Sequence, residues 1–476
     1  MGIHNFYFDW ACLYHLTFRK QFFFASICVG IFICIQTSNV NAQTPSFVWA
    51  KQMSSLPNDP NQSPAHQIIS NAVAVDASGY IYTTGVFYGT ADFDPGPGIY
   101  NLSTPLGINI FAGEIFVSKL DPLGNFVWAK QMTGIMPPPY TSVSDEGRSI
   151  SIDASGNIII TGNFTGTNDF DPGPAVYNLI SSGTNNPDIF IAKLDATGNF
   201  VWAKQFGSTF VDGAYSVALD AVGNVYTTGY FFLTVDFDPG PAVYNLTAVG
   251  GYNIFVSKLD AAGNFIFAKQ IGSGSTEARG QSIKVDASGN IYTTGMFFTT
   301  GDFDPGAGIY NLTALGDQDI FVSKLDASGN FLWAKQMGGA NTSFGDAGSA
   351  ISVDAAGNIY TTGYFSGTSD FDPGPGVYTK TALNRRDAFV SKLDAGGNFL
   401  WVAQFGGTGF WQYDDMGYMI KTDASNNVYT IGYFNGTVDF DPGPGNYYLS
   451  SPNNLNHLFI SKLDAFGNFV WATDFI

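Results

Sequence analysis

Four short runs of alternating or apolar residues recur along the chain, and the cleanest copy of the set runs from Ser282 to Met337. The runs are SIKVD, NIYTTGMF, DIFVSKLD and NFLWAKQ, each rich in β-branched and aromatic residues. Gly, Asn, Asp, Ser or Pro separates each run from the next, which is the signature of strands joined by turns. No copy carries a 3.6-residue pattern for more than a turn or two, so almost no helix is expected.

Six full units follow one another, at approximately 70–131, 148–205, 214–270, 281–336, 348–404 and 417–476. Their Asp-Phe-Asp-Pro-Gly cores begin at Asp92, Asp169, Asp236, Asp302, Asp370 and Asp439, spaced 77, 67, 66, 68 and 69 residues apart. A period of this length marks a repeat architecture. Four strands per unit and six units predict an all-β fold, a β-propeller of six four-stranded blades filling one domain over 43–476. A seven-bladed ring lacking most of one blade is the alternative, and it leaves exposed edges. An extra copy of the last strand, 46–52, is either surplus to a closed ring or replaces the final strand of the last blade.

Within NFLWAKQ, Phe331, Trp333 and Lys335 share one face of the strand. The same strand carries Trp49, Trp128, Trp202, Trp401 and Trp471, with Phe267 in the third unit. Rings repeated so strictly are expected to pack between blades, each worth ~1.5–3 kcal/mol or somewhat more. The Asp-Ala-Ser-Gly-Asn and Leu-Asp-Ala-x-Gly-Asn turns place an Asp where it caps turn N–H groups and a Gly where φ > 0 is needed. Asn426 stands where the sixth unit lacks that Gly, and Asn is the next best left-handed residue. With alternating strand directions these turns share one face. The Asp-Phe-Asp-Pro-Gly segments and the longer loops 54–69, 132–147 and 406–416 lie on the other, the better place for a binding surface.

Composition narrows the function. Asp+Glu 39 against Lys+Arg 20, a net charge of -19, discourages nucleic acid and anionic lipid as partners. Residues 1–42 read as a secretory signal, with Arg19 and Lys20 before FFFASICVGIFICI and small or medium residues before Gln43. Cys12, Cys28 and Cys34 all precede that cut, so the mature chain has no disulfide, thiol nucleophile or cysteine metal site. No later segment is apolar enough to insert in a membrane. A secreted, periplasmic or surface-associated protein is expected.

The mature chain has only His66 and His457, in unrelated positions, which argues against a histidine metal cluster or a Ser-His-Asp triad. The periodic Lys119, Lys193, Lys258, Lys324, Lys392 and Lys462 read as structural partners of a nearby Asp. The acidic corners Asp92/Asp94, Asp169/Asp171, Asp236/Asp238, Asp302/Asp304, Asp370/Asp372 and Asp439/Asp441 admit two readings. Two carboxylates on one side of an extended segment, followed by Pro-Gly carbonyls, suit a weak Ca²⁺ site in each blade. Capping of backbone N–H groups explains the same pattern without an ion. A glycosidase-like acid pair should be asymmetric. It would have to come from unrepeated residues such as Asp145, Glu146, Glu277, Asp414 and Asp415.

The chain resembles the bacterial SBBP-type β-propeller repeat family. The matching stretches are Asp-x-x-Gly-Asn-(Ile/Val)-Tyr-x-Thr-Gly, as at Asp286 to Gly295, and Asp-Ile-Phe-(Val/Ile)-(Ser/Ala)-Lys-Leu-Asp, as at Asp319 to Asp326, followed by Gly-Asn-Phe-x-Trp-Ala-Lys-Gln. The Asp-Phe-Asp-Pro-Gly variant is similar to secreted Bacteroidetes members, whose signals commonly end Asn-Ala-Gln, as at 41–43. Many of those end in a type IX secretion sorting domain. Its absence here suggests periplasmic residence or a truncated sequence. The resemblance implies a fold and a location and carries no catalytic residue. The leading expectation is a non-enzymatic binding module for an envelope or extracellular protein or glycan, with Trp411 and Tyr413 in a candidate groove. A structural or adhesive repeat scaffold is the first alternative, and a polysaccharide hydrolase or lyase the second.

Overall fold

The computed structural model describes residues 48–55, 67–104, 113–135, 145–183, 185–340, 344–408, 414–452 and 455–475. The expected signal segment, its three cysteines, His66, Trp411 and Tyr413 lie outside them. Among the described residues the chain is strand and turn without α-helix, and no helix is long and apolar enough to cross a membrane.

In the fourth unit the four runs form Ala278–Val285, Ile291–Asp302, Asn311–Leu325 and Phe331–Met337, paired antiparallel in that order. The other five units repeat the order. Second and third strands are buried on both faces: every residue of Ile158–Phe164 and Asp188–Leu194 is buried. That is why these runs read as nearly continuous apolar stretches rather than clean alternations. Each first strand carries a bulge, for example between Gly147 and Ser149. The bulge presses against the Gly of the Thr-Gly pair in the second strand. A Cβ on Gly162 would lie 1.9 Å from the Glu146 carbonyl oxygen, so no side chain fits there.

The sheets stand side by side. First strands pack in succession, Gln67–Val75 on Glu146–Ile152, then Gly213–Leu219, Ala278–Val285, Ala347–Val353 and Met416–Thr422. Comparable packing of the sixth sheet back onto the first is not seen among the described residues, and no sheet is closed on itself. The expected closed propeller, six- or seven-bladed, is therefore corrected to an open series of small antiparallel sheets, and the SBBP-propeller label falls with it. The extra N-terminal copy shows the physical reason. Trp49 and Lys51 pack on Gly124, as Trp128 and Lys130 pack on Gly198, and Ser54–Ser55 pairs with Asp92 and Ala91. This segment heads the series and does not complete its tail, because the sixth sheet keeps its own last strand, Phe469–Phe475.

What joins one sheet to the next is a lock repeated at each step. Lys119, Lys193, Lys258, Lys324 and Lys392 donate to the carbonyls of Ala196, Ala261, Ala327, Ala395 and Ala465 of the following unit, at 3.0–3.4 Å. Trp202 and Trp401 Nε1 reach the same carbonyls as their lysines, at 3.3 and 3.4 Å. Four of these lysines also sit over the ring of their own unit's Tyr82, Tyr226, Tyr292 or Tyr360, at 4.8–4.9 Å. The tyrosine hydroxyl in turn donates to the first-turn aspartate, as Tyr292 does to Asp286 at 2.9 Å. In the second unit Ile159 takes the tyrosine's place, and Lys193 pairs directly with Asp153 at 3.1 Å. The aspartate that sequence pairing expects is thus usually reached through a tyrosine.

The last-turn glycine lets the ring and lysine stem of the preceding unit approach. Gly397 has a φ of 79°, and a Cβ there would meet Lys335 Cε at 2.8 Å and Trp333 Cδ2 at 3.4 Å. Gly156 has the same φ, but an added Cβ meets only Ala196 Cβ at 3.3 Å. Both alanine substitutions should lower the thermal midpoint through the left-handed backbone, about 1–3 kcal/mol. Gly397→Ala should lower it further by displacing Trp333 and the Lys335 stem from the junction, and equal losses in a melting comparison of the two variants would contradict that packing.

Candidate functional site

The acidic corners are turns closed by their own backbone. Asp302 Oδ1 accepts from the N–H groups of Asp304 and Tyr310, at 3.0 and 2.8 Å, and Asp304 Oδ1 accepts from Gly306 at 2.7 Å. The same contacts recur at Asp92/Asp94, Asp169/Asp171, Asp236/Asp238, Asp370/Asp372 and Asp439/Asp441. The second acid also folds over its own loop. A Cβ on Gly98, Gly308, Gly376 or Gly445 would stand only 2.1–2.3 Å from Oδ2 of Asp94, Asp304, Asp372 or Asp441. Asp171 and Asp238 keep the same cap on Gly173 and Gly240, with alanine in place of that closing glycine.

The phenylalanine between the two acids is fully buried. Phe303 lies 5.1 Å from Phe297 and 5.2 Å from Phe321, and Phe93, Phe170, Phe237, Phe371 and Phe440 are likewise at 0% exposure. These segments plug the core between strands, and several are joined to the preceding unit's last strand, as Thr167–Asp169 is to Thr133–Ile135. Among the described residues no three His, Cys, Asp or Glu side chains gather as a metal-ion group. At Asp92, Asp94, Asp169, Asp171, Asp236, Asp238, Asp302, Asp304, Asp370, Asp372, Asp439 and Asp441, where a Ca²⁺ corner and turn capping are the two expectations, the contacts present are those of turn capping. Each pair turns its first oxygens to turn N–H groups, and among the described residues no third acid joins it.

The unrepeated residues are more informative. The four arginines after residue 20, Arg148, Arg279, Arg385 and Arg386, all stand at strand starts on the face of the inter-unit connections. Glu146 accepts from Asn71 at 2.7 Å and pairs with Arg148 at 2.9 Å, and the Arg148 guanidinium lies over Tyr215 at 4.9 Å. Arg279 donates to the Tyr215 hydroxyl at 3.1 Å, pairs with Glu277 at 2.7 Å and covers Tyr230 at 4.6 Å. From there the rings Phe210, Phe232, Tyr252, Tyr230 and Tyr215 form a ladder with neighbouring centroids 4.8–5.3 Å apart. Phe210, at its outer end, is 42% exposed. Planar donors and acceptors beside aromatic faces can hold a polyhydroxylated or polypeptide ligand. A smaller group forms nearer the C-terminus, where Arg385 covers Phe344, Arg386 covers Tyr364, and both face Asp414 at 3.5 Å.

The acids proposed for an enzyme site fall into separate groups along the series and do not gather at one place. Glu146 and Glu277 are held by arginines of different units, and Asp414 by the C-terminal pair. Asp145 and Asp415 are buried, 3% and 2% exposed, at two different junctions. His457 is buried beside Asp474 at 3.4 Å and joins none of them.

Sequence reasoning missed a second repeated set. Glu114, Asp188 and Asp387 begin third strands, Asp319 holds the same register within Asn311–Leu325, and the next unit brings Asp145, Asp212, Asp346 and Asp415 to them. Each step is clipped by a backbone hydrogen bond, such as Asp346 N–H to the Gln318 carbonyl at 3.0 Å. Where Asn253 replaces the first acid, Ala278 replaces the second, a joint exchange already readable in the sequence. Burial, then the charge of Asp145, pushes Glu114 up to about 9. Burial pushes Asp145, Asp188 and Asp346 up to about 7, and Asp212, Asp319 and Asp387 up to about 6. Hydrogen bonds act the other way on the turn aspartates and, despite some burial, hold Asp195 down at about 2.

No family model matches the chain. An uncharacterized WD repeat-containing protein of Acanthamoeba polyphaga mimivirus is 24% identical over 437 residues, covering 79% of this chain and 30% of that protein. The chain thus spans under a third of that relative's length. A protein of unknown function from Bacteroides caccae, solved at 1.35 Å, aligns with a TM-score of 0.32 and 8% identity over 82% of this chain and 93% of its own.

Stability should therefore peak at mildly acidic pH. Carboxyls raised above the ~3.9 of an unfolded aspartate contribute fully below that value and lose the contribution as pH rises through 6 and 7. The turn aspartates contribute above about pH 4 and lose it toward pH 2. Melting in chelator-containing buffer should give its highest midpoint between about pH 4 and 6, with a fall toward pH 8. Asp346→Asn should flatten that fall, since each displaced pKa unit is worth about 1.4 kcal/mol. A midpoint that climbs from pH 6 to 8 would contradict the assignment.

Proposed function

We propose that this chain is a structural, adhesive repeat scaffold of the cell envelope or extracellular space. The observation that carries the reading is the use of the repeated residues: lysine, tryptophan and turn glycine join one unit to the next, and the acidic corners cap their own turns. Force applied along such a series would be borne by the locks in turn. Single-molecule pulling between residues 48 and 475 should give successive rupture events. Each would release roughly 220–240 Å of chain, from ~3.3–3.6 Å per extended residue. Lys324→Met with Trp333→Ala should weaken one event and leave the others. Smooth extension at negligible force would rule the scaffold out.

A second reading, a module that binds an extracellular glycan or protein, is favoured by the arginine-flanked ring ladder alone. Glycan-array binding that disappears in Phe210→Ala/Tyr252→Ala, with the melting curve kept, would support it. An array without signal for the unaltered chain would remove the glycan form of this reading.

A further inference from the structure

The junction between the fifth and sixth units differs from its counterparts at its second acid, because an undonated first-acid oxygen recurs at Asp188 and Asp319 while an undonated second-acid oxygen is found at Asp415. Asp387 is fully buried, and its Oδ2 accepts from the Leu383 N–H at 2.9 Å and Gln404 Nε2 at 2.6 Å. Asp415 is 2% exposed, and its Oδ1 accepts from the Asn435 N–H at 2.9 Å. That leaves Asp387 Oδ1, Asp415 Oδ2 and the Asn435 side-chain Oδ1, all buried, without a donor in hydrogen-bond geometry, although the Asn384 and Gly407 backbones stand close enough to Asp387 and Asp415 to favour their ionised forms. At the corresponding position Asp346 Oδ2 receives the Ser369 hydroxyl at 2.6 Å, and Asp145 Oδ2 receives the Asn168 amide at 2.7 Å. Val438 occupies that place in the sixth unit and offers no donor.

The two acids are neighbours across the junction, because the Asp415 N–H donates to the carbonyl of Arg386, the residue preceding Asp387, at 3.0 Å. The nearby guanidiniums are engaged elsewhere. Arg386 reaches the Phe344 carbonyl at 2.6 Å, and both Arg385 and Arg386 face Asp414. A buried carboxylate oxygen without a donor loses its hydration and gains nothing in return, so these oxygens call for a positive partner.

We propose that Asp387, Asp415 and Asn435 hold a hard divalent cation, calcium in chemical class, at the boundary of the fifth and sixth units. Two carboxylates balance the ion's charge, and the amide oxygen extends an oxygen-only set that backbone carbonyls or water would complete toward about six to eight ligands. Asp414, Tyr418 and Tyr433 also lie near this end of the junction, and Asp387 and Asp414 both raise the Asp415 pKa through their charge. The ion favours the ionised acids, so its stabilising effect grows as pH rises.

Calcium chloride titrated into chelator-stripped protein should bind with one site per chain in calorimetry. It should raise the melting midpoint at millimolar concentration by several degrees, more at pH 8 than at pH 5. Asp387→Asn/Asp415→Ala copies the Asn253/Ala278 pair that the chain already carries between its third and fourth units, so the variant has a precedent for folding. It should lose the one-site binding and the calcium-dependent rise together. No binding to the unaltered protein, with a midpoint that follows pH but ignores calcium, would overturn the proposal in favour of acids that share protons. A calcium response undiminished in the double variant would overturn the assignment to these residues.

Discussion

The carbonyl of the alanine in the last turn of the second to sixth units is the point on which the series depends. It receives the lysine, and at two steps also the tryptophan, of the unit before it. A four-stranded sheet of short strands has two apolar faces and cannot bury both by itself. The lysine is held from three sides: its stem among strands, its ammonium over a tyrosine ring, and its donors on the neighbour's backbone. Desolvation lowers the pKa of Lys119 and Lys392, as expected of ammonium groups drawn from water into a junction. A cation of this kind is stable there because the carbonyl and the ring face replace part of its hydration.

Departures from the repeat show which contacts substitute for one another. Ile159 removes a tyrosine ring and hydroxyl, and Lys193 turns to the aspartate that the hydroxyl would have capped. Phe267 removes an indole N–H, and Lys258 alone reaches Ala327 while still standing 5.9 Å from the phenylalanine ring. Asn253 removes a buried carboxyl and instead bonds Val249 and Gln270. In each case the geometry of the step survives a change of chemistry. The unit that the sequence repeats is therefore the junction as much as the sheet.

Strands and turns were legible because their signals are local. Alternation, the Asp-x-x-Gly-Asn spacing and even Asn426, at a φ of 61°, follow from neighbours a few residues apart. Closure was not legible, since a unit has the same sequence whether or not the series returns on itself, and only the packing of Trp49 on Gly124 distinguishes head from tail. In the Asp-Phe-Asp-Pro-Gly segment the capping role of the acids was legible from their spacing, whereas the place of the phenylalanine between them, at 0% exposure, depends on strands far along the chain. The arginine and ring cluster joins residues from 71 to 279, each unremarkable alone. The paired acids stand 24 to 31 residues apart and begin ordinary-looking segments, so only their joint loss at Asn253 and Ala278 gave a sign.

The distribution of negative charge ties these observations together. A chain with a net charge of -19 must keep its carboxylates from repelling one another across a narrow series of sheets. Most of them lie in turns, where two or three N–H groups neutralise each locally, as Asn290 and Ser288 do for Asp286. The junction acids have no such exposure to water, and burial shifts them toward the neutral form. Serine, asparagine and glutamine donors settle most of these. The step from the fifth to the sixth unit has valine where the donor should be, and Asp415 Oδ2 and Asn435 Oδ1 join Asp387 Oδ1 among the buried oxygens without a donor. The same repeat that disposes of charge in its turns thus leaves one undonated carboxylate oxygen each at Asp188 and Asp319 and two, on Asp387 and Asp415, at the boundary of the fifth and sixth units.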